Sequence, residues 1–413
     1  MTATGNVATS RARVILVLLG LAAVAAYVLP GMAAPDTHWP LWDVQVYWWG
    51  GQQAAHGGAL YAPGSPSSFT YPPFAAMVFS LAAATSPADL KIAITVASVA
   101  SLVVLCALAL GAAGVPRRPG IVFAVTALAM LTEPVAYTLH LGEVNLILAA
   151  LAGSDLLRRR DGGWWQGAGI GLAAGIKLTP LIFVLYLLVT GRVRAAVTAA
   201  ITFGVTIAAG FAVLPASARV FWLRGLFFNQ GRIGNPANPS DQSLNGAIAR
   251  LAGTTEPPRA WWLALAVVTV LGGVAIAAWA HRRGYRLAGL VCCAITGLLV
   301  SPISWTHHWV WAVPLLVMLT AAAWRRRSPW YVIAAAAAIM VFSWGFPIPW
   351  AGHPPSAGRL LASDLYVLCG LAVLVGTALV LWRDGTSARR REVPGMTHPD
   401  RSASQPVVVT PVR

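Results

Sequence analysis

Long apolar runs separated by short polar stretches make up most of this chain. They lie near positions 14–29, 72–86, 89–113, 120–139, 142–157, 164–177, 179–191, 195–214, 260–280, 286–301, 308–323, 330–347 and 361–382, thirteen in all. Several fall short of the roughly 20 residues that span a hydrocarbon core, so some are expected to be half-helices or re-entrant. The pattern predicts an all-α polytopic membrane protein with about 11–13 transmembrane or re-entrant helices and short interfacial helices outside. Putting the basic clusters at Arg117, Arg160 and Arg326 on one side requires the two runs between Tyr71 and Arg117 to count as a single crossing. Either one of those runs re-enters or one cluster lies on the other side.

Composition agrees with the pattern. The chain is 57% hydrophobic and 10% charged, with mean hydropathy +0.68, against about 25% charged residues in a soluble domain. Its net charge of +16 is spread over short clusters between apolar runs: Arg11 and Arg13, Arg117 and Arg118, Arg158–Arg160, Arg192 and Arg194, Arg282, Arg283 and Arg286, Arg325–Arg327, and Arg389–Arg391. That is the positive-inside distribution of cytoplasmic loops, not the single basic face of a nucleic-acid binder. The four cysteines all lie in apolar runs with no C-x-x-C pair and no histidine at metal spacing, and read as small buried hydrophobes. Residues 1–13 are expected to be a cytoplasmic tail, 14–382 a transmembrane domain with external loops at 34–71, 215–259 and 347–360, and 383–413 a disordered cytoplasmic tail.

The polar residues that stand out gather at the run ends opposite the basic clusters. Asp43 follows the first run and sits among Trp42, Tyr47, Trp48 and Trp49. It reads either as a solvated loop acid beside an aromatic belt or as a general base at the membrane surface, where sugars stack on rings. Glu133, Glu143 and Asn145 share that side. Lys177, in G-I-K-L-T-P, is either a snorkelling lysine or a point charge for a phosphate, placed at a helix break by Thr179-Pro180. His307 and His308 follow a break at Pro302 and are flanked by Trp305, Trp309 and Trp311. Adjacent helical residues point about 100° apart, so one of the two is expected to face a site, and a two-histidine metal centre is not expected. The loop around Arg232, Asp241, Gln242 and Asn245 is rich in Gly, Pro and Asn, as an ordered binding loop or a plain polar connection would be.

No P-loop, no dinucleotide fingerprint and no sizeable soluble domain is present, which argues against nucleotide-driven chemistry. An external acid, a membrane-depth cation and aromatic surfaces suit sugar transfer from a lipid-phosphate carrier. A secondary transporter is the rival, but it should show paired broken helices in two related halves, and here the polar residues crowd one face.

The chain also resembles glycosyltransferase family 87, multispanning enzymes of the C-type fold. The resemblance covers about residues 14 to 382 and rests on D-V-Q-V-Y at 43–47, A-L-Y at 59–61, F-T-Y-P-P-F-A-A at 69–76 and G-E-V-N-L at 142–146. It continues through G-I-K-L-T-P at 175–180, G-R-I-G at 231–234, D-Q-S-L-N-G-A-I-A-R at 241–250 and S-P-I-S-W-T-H-H-W-V-W at 301–311. Within that family the chain is most like the actinobacterial α-mannosyltransferases that use polyprenyl-phosphate mannose. The likeness implies a plasma-membrane enzyme working on the periplasmic face, with a phosphatidylinositol mannoside as acceptor and an α-1,2 bond as product. Branching of lipomannan or lipoarabinomannan is the alternative acceptor chemistry.

By that resemblance Asp43 is the catalytic base of an inverting displacement. Lys177, Arg232, His307 and His308 are expected to hold the donor phosphate. Tyr47, Trp48, Tyr71, Glu143, Asn145, Asp241, Gln242, Asn245 and Trp305 are expected to contact substrate, and no metal or other cofactor is expected. The sequence departs from the family in two places: Glu143 stands where glutamine is frequent, and Asp241 where asparagine is common.

Overall fold

The computed structural model describes residues 14–29 except 16, then 40–61, 69–81, 85–158, 163–229, 231–343 and 357–392. Expectations for residues 1–13 and 393–413, and for 34–39, 62–68 and 347–356 of the external loops, fall outside these. Helices α1 (Val17–Leu29), α2 (Trp42–Ala55), α3 (Pro73–Ser80) and α4 (Pro87–Ala112) come first. They are followed by α5 (Pro119–Ala129), α6 (Glu133–Leu141), α7 (Asn145–Leu157), α8 (Ala168–Ile176), α9 (Ile182–Val189) and α10 (Val193–Val213). After a loop come α11 (Leu244–Ala252), α12 (Arg259–Arg282), α13 (Arg286–Val300), α14 (Ala312–Arg326), α15 (Pro329–Val341), α16 (Ala357–Ser363) and α17 (Leu365–Glu392).

Among the described residues, five helical segments are long and apolar enough to cross a membrane: α4, α10, α12, the segment Thr306–Arg326 and the segment Leu365–Asp384. Six shorter apolar helices stand beside them. The chain is a multi-pass, all-α membrane protein.

Several runs divide where the sequence carries a helix breaker. The run at 120–139 is two helices, because Pro134 in the first turn of α6 has no N–H to continue α5. In the run at 72–86 the helix among the described residues is the short α3. Eight residues reach only about 12 Å at 1.5 Å each, far short of a hydrocarbon core. The last helix also continues beyond 382 to Glu392, where disorder was expected from 383. No proline interrupts Arg383–Glu392, so the backbone can continue as a helix.

The basic clusters meet on one side of the bundle, where they satisfy helix ends. Arg325 donates to the Ala113 carbonyl at the end of α4. Arg192 donates to Asp155 O at the end of α7 (2.7 Å), and Arg282 to Val189 O at the end of α9 (3.1 Å). Final-turn carbonyls have no intrahelical partner, so a cation there both completes a hydrogen bond and opposes the helix dipole. With these ends pinned, the opposite ends of α7, α8 and α14 come together at the polar side. Cys106, Cys292 and Cys293 are buried and free, as small core residues.

Helix α8 reaches that side along a glycine stripe. Gly167, Gly171 and Gly175 are spaced by four and face α10. A β-carbon at Gly171 would collide with the Ala199 carbonyl, and one at Gly175 would lie 2.5 Å from Thr206 Oγ1. Inside a membrane, helices associate through such close backbone approach. We predict that Gly171→Val separates α8 from α10 and sharply lowers the detergent melting temperature. Gly204→Val, on an open face of α10, should melt within about 2 °C of wild type, as surface changes usually do. Equal melting of both variants would count against the stripe.

Candidate active site

The site begins where α2 seats on the end of α6. Gly142 caps α6 in the left-handed region (φ 72°), and a β-carbon there would lie 2.5 Å from Val44 Cγ2 and 3.0 Å from Leu41 Cδ2. Leu41 itself is left-handed (φ 50°), and its N–H donates to His140 O at 3.1 Å. This contact places Asp43 in the first turn of α2, within electrostatic reach of Glu143, His307 and Lys177. Burial, and then the Glu143 charge, push the Asp43 carboxyl up to about 7, against the opposing pull of His307 and Lys177.

Glu143 is the centre of the arrangement. It lies in the turn between α6 and α7 and is almost fully buried. Its Oε1 takes the Lys177 ammonium at 2.5 Å and the Tyr71 hydroxyl at 3.2 Å. Its Oε2 is 3.0 Å from His307 Nε2 and accepts from Asn145 Nδ2. Burial alone would raise this carboxyl, but Lys177 and His307 hold it well below the usual range.

Lys177 follows the last residue of α8 with an extended backbone (φ −146°, ψ 131°), and Thr179–Leu181 form a 3₁₀ turn before α9. Its ammonium also donates to Asn145 Oδ1 at 3.0 Å and lies 3.0 Å from His308 Nε2. An acid two helices away, invisible in the local sequence, is therefore its main partner.

Both histidines reach Glu143, where one was expected to turn away. They lie in a 3₁₀ turn, Thr306–Trp311, with rings crossed at 88° and centroids 4.8 Å apart. His308 Nε2 is 3.7 Å from Glu143 Oε1. The rings straddle the carboxylate from two sides, so divergent side chains converge on one group. The ligand atoms of Glu143, His307 and His308 all lie within 4.8 Å of one another, a donor set that suits a divalent ion. The sequence argument against a two-histidine centre, that adjacent positions diverge, therefore does not hold. Lys177 Nζ lies against the same donors and puts a fixed cation among them.

A cavity of about 50 Å³ leads away from this cluster, with Asn145, Lys177 and His308 at one end and Phe183, Leu298 and Trp311 along it. Tyr47 and Tyr71 extend the cluster on the α2 side, their hydroxyls 3.1 Å apart.

Other expected site residues have structural partners. Arg232 clamps the Phe69 and Thr70 carbonyls (3.2 and 3.0 Å) and so holds the strand-like approach to Tyr71. Asp241 accepts from the Ser304 and Ser243 amides, and Gln242 bonds the Ser363 carbonyl and the Tyr366 amide. Asn245 donates to Pro302 O. Asp241 and Asn245 fix the backbone leading into His307, with Trp305 paired to Asp241 as an isolated bridge, while the Gln242 side chain holds the junction of α16 and α17. Trp48 points to Thr85 O, and Glu133 accepts from the Tyr366 hydroxyl at 2.7 Å.

The sequence reading passed over Thr138 and Tyr137. Thr138 donates to the His307 carbonyl at 2.8 Å, and Tyr137 stands edge-on to the His307 ring. Pro134 was the available signal, since a break there turns an apolar span into a short helix with a polar side.

Residues 69–302 match the profile of glycosyltransferase family 87. That span takes in Tyr71, Glu143, Lys177 and Arg232. The chain is 34% identical over 373 residues to a polyprenol-phosphate-mannose-dependent alpha-(1-2)-phosphatidylinositol mannoside mannosyltransferase of Mycolicibacterium smegmatis, covering 82% of this chain and 83% of the relative. The Mycobacterium tuberculosis protein of the same description is 31% identical over 390 residues, with 86% and 90% covered. A pentamannoside mannosyltransferase of M. tuberculosis is 32% identical over 386 residues, with 88% and 86% covered. No solved structure matches the chain.

Removing one partner of a buried ion pair leaves the other uncompensated, at a cost of about 3–5 kcal/mol. We predict that Glu143→Leu lowers thermal stability in detergent and that adding Lys177→Met recovers most of the loss. A double variant no more stable than the single one would show that the pair does not carry the packing of this centre.

Proposed function

Because this chain belongs to glycosyltransferase family 87, we propose that it moves mannose from polyprenyl-phosphate mannose to a mannose hydroxyl of a phosphatidylinositol mannoside. The transfer takes place on the periplasmic face and forms an α-1,2 bond. The observation that carries the reading is a carboxyl raised to about 7, Asp43, beside a buried cluster of Lys177, His307 and His308 around Glu143. A base with a pKa near the working pH combines an available ionised form with a strong pull on the proton.

In the proposed step Asp43 accepts the proton of the acceptor hydroxyl, whose oxygen attacks the anomeric carbon. The bond from that carbon to the phosphate oxygen breaks, its electron pair stays on the phosphate, and β-mannosyl phosphate becomes an α-mannoside. A phosphate leaving group needs charge stabilisation, which Lys177 supplies, with the histidines beside it as hydrogen-bonding groups. All three N–H groups of Lys177 already have partners, so the donor phosphate replaces a neutral one, Asn145 or His308. Arg232, Asp241 and Asn245 support the site by holding the backbone that leads to Tyr71 and His307, and Gln242 by holding the entry to α17. Tyr71 meets the cluster through its hydroxyl with the buried Tyr47 behind it, and Trp48 and Trp305 are assigned to substrate contacts outside the cluster.

The test is purified protein in nanodiscs with polyprenyl-phosphate mannose and phosphatidylinositol mannosides. The expected product is one hexose heavier and sensitive to an α-1,2-specific mannosidase. Transfer to lipomannan alone would move the acceptor assignment and leave the chemistry. Asp43→Asn keeps the volume and removes the base, and should lower the rate about 10²–10⁴-fold. Wild-type rates in that variant would overturn the mechanism.

The pH profile follows from the same group. Asp43 works ionised, so the rate should rise with pH through about 7. Glu143→Gln removes a like charge and frees Lys177 to favour ionised Asp43, so the rising limb should move to lower pH. An unmoved limb would mean that another group titrates.

A further inference from the structure

On the other side of Leu41 the bundle has a second cavity, of about 370 Å³ and almost wholly apolar. Tyr27 and Val28 of α1 form one wall, and Ile92, Val96 and Val99 of α4 form the other. Ile92 and Val96 are largely exposed, so the groove opens towards the surrounding bilayer. Among the described lining residues the one charged group is Lys91, one of only two lysines in the chain. Lys91 lies in the second turn of α4, at the helix end that shares the polar side, and its ammonium makes a long 3.4 Å contact to Pro40 O. A lysine of this kind lays its methylenes along an apolar wall and presents its charge at headgroup level. An apolar channel with a cation at its mouth complements an acyl chain carrying an anionic head.

The position of the groove relative to the chemistry selects which lipid it takes. The smaller cavity touches Lys177 and His308, the groups assigned to the donor phosphate. Leu41 lines the larger one and stands two residues before Asp43, the proposed base. In an in-line displacement the attacking hydroxyl and the leaving phosphate lie on opposite sides of the anomeric carbon. The lipid attached to the attacking sugar therefore belongs on the Asp43 side.

We propose that this groove holds the lipid end of the acceptor, with an acyl chain along Ile92, Val96 and Val99 and the phosphodiester of phosphatidylinositol against Lys91. The assignment rests on the transfer reaction proposed above.

The test measures initial rates in nanodiscs of uncharged phosphatidylcholine for wild type, Lys91→Gln, Lys91→Arg and Val96→Trp. Acceptor and donor concentrations are varied separately. Lys91→Gln should raise the KM for phosphatidylinositol mannoside about tenfold, the worth of one charge-assisted hydrogen bond. Lys91→Arg should restore it, and Val96→Trp, which fills the groove, should raise it as well. The KM for polyprenyl-phosphate mannose and kcat should stay at wild-type values. A raised donor KM with an unchanged acceptor KM would assign the groove to the polyprenyl chain and overturn the proposal. Unchanged values for both substrates in Lys91→Gln would mean that ordinary bilayer lipid fills the groove, which overturns it too. No transfer by wild type would instead remove the reaction on which the assignment rests.

Discussion

A carboxylate buried in an apolar helix bundle must be neutralised or hydrogen-bonded on every face, and Glu143 imposes that requirement here. Its two oxygens draw in the end of α8 through Lys177, the start of α7 through Asn145, the 3₁₀ turn through both histidines and the first loop through Tyr71. Every one of these partners sits at a helix break. Unbroken helices would present mostly apolar side chains at this depth, so the breaks are what make a polar centre affordable inside the membrane. The glycine stripe of α8 serves the same end by bringing Lys177 close enough to pair.

The centre treats its two acids differently. Glu143 has Lys177 and Tyr71 on one oxygen and His307 and Asn145 on the other, and these partners favour its ionised form. Asp43 feels burial and the Glu143 charge with less compensation, and its affinity for a proton rises. Two carboxyls in one site, pushed apart by their surroundings, are suited to separate tasks. One organises the cations and the other can take a proton near neutral pH. Glutamine at position 143 would remove the ion pair and leave the Lys177 charge uncompensated. The donor phosphate would then meet a more positive site.

Around the centre, polar side chains expected to meet substrate also hold backbone. Arg232 fixes the approach to Tyr71, Asp241 and Asn245 fix the chain entering His307, and Gln242 fixes the entry to α17. A loop that runs through a membrane protein must satisfy its own amides and carbonyls. Short polar side chains do this locally, and their frequency in a loop signals order more than contact with substrate.

Much of this molecule is set by one-dimensional information. Run length, hydropathy and arginine clustering determine an all-helical, multi-pass chain, because the energy of an apolar segment in lipid is additive along the segment. The residue types of the site, an acid at 43, a lysine at 177 and paired histidines at 307 and 308, are likewise visible as polar exceptions at the ends of apolar runs. Tertiary structure alone decided that Lys177 pairs with Glu143, that both histidines face one carboxylate, and that Asp241 and Arg232 serve the backbone. It also decided the length of α3, since its eight residues are bounded by the helix that forms and not by hydropathy. The physical reason is common to these cases. Pairing and burial depend on distances between segments remote in sequence, 34 residues for Glu143 and Lys177 and 131 for Lys177 and His308, and no local pattern encodes them.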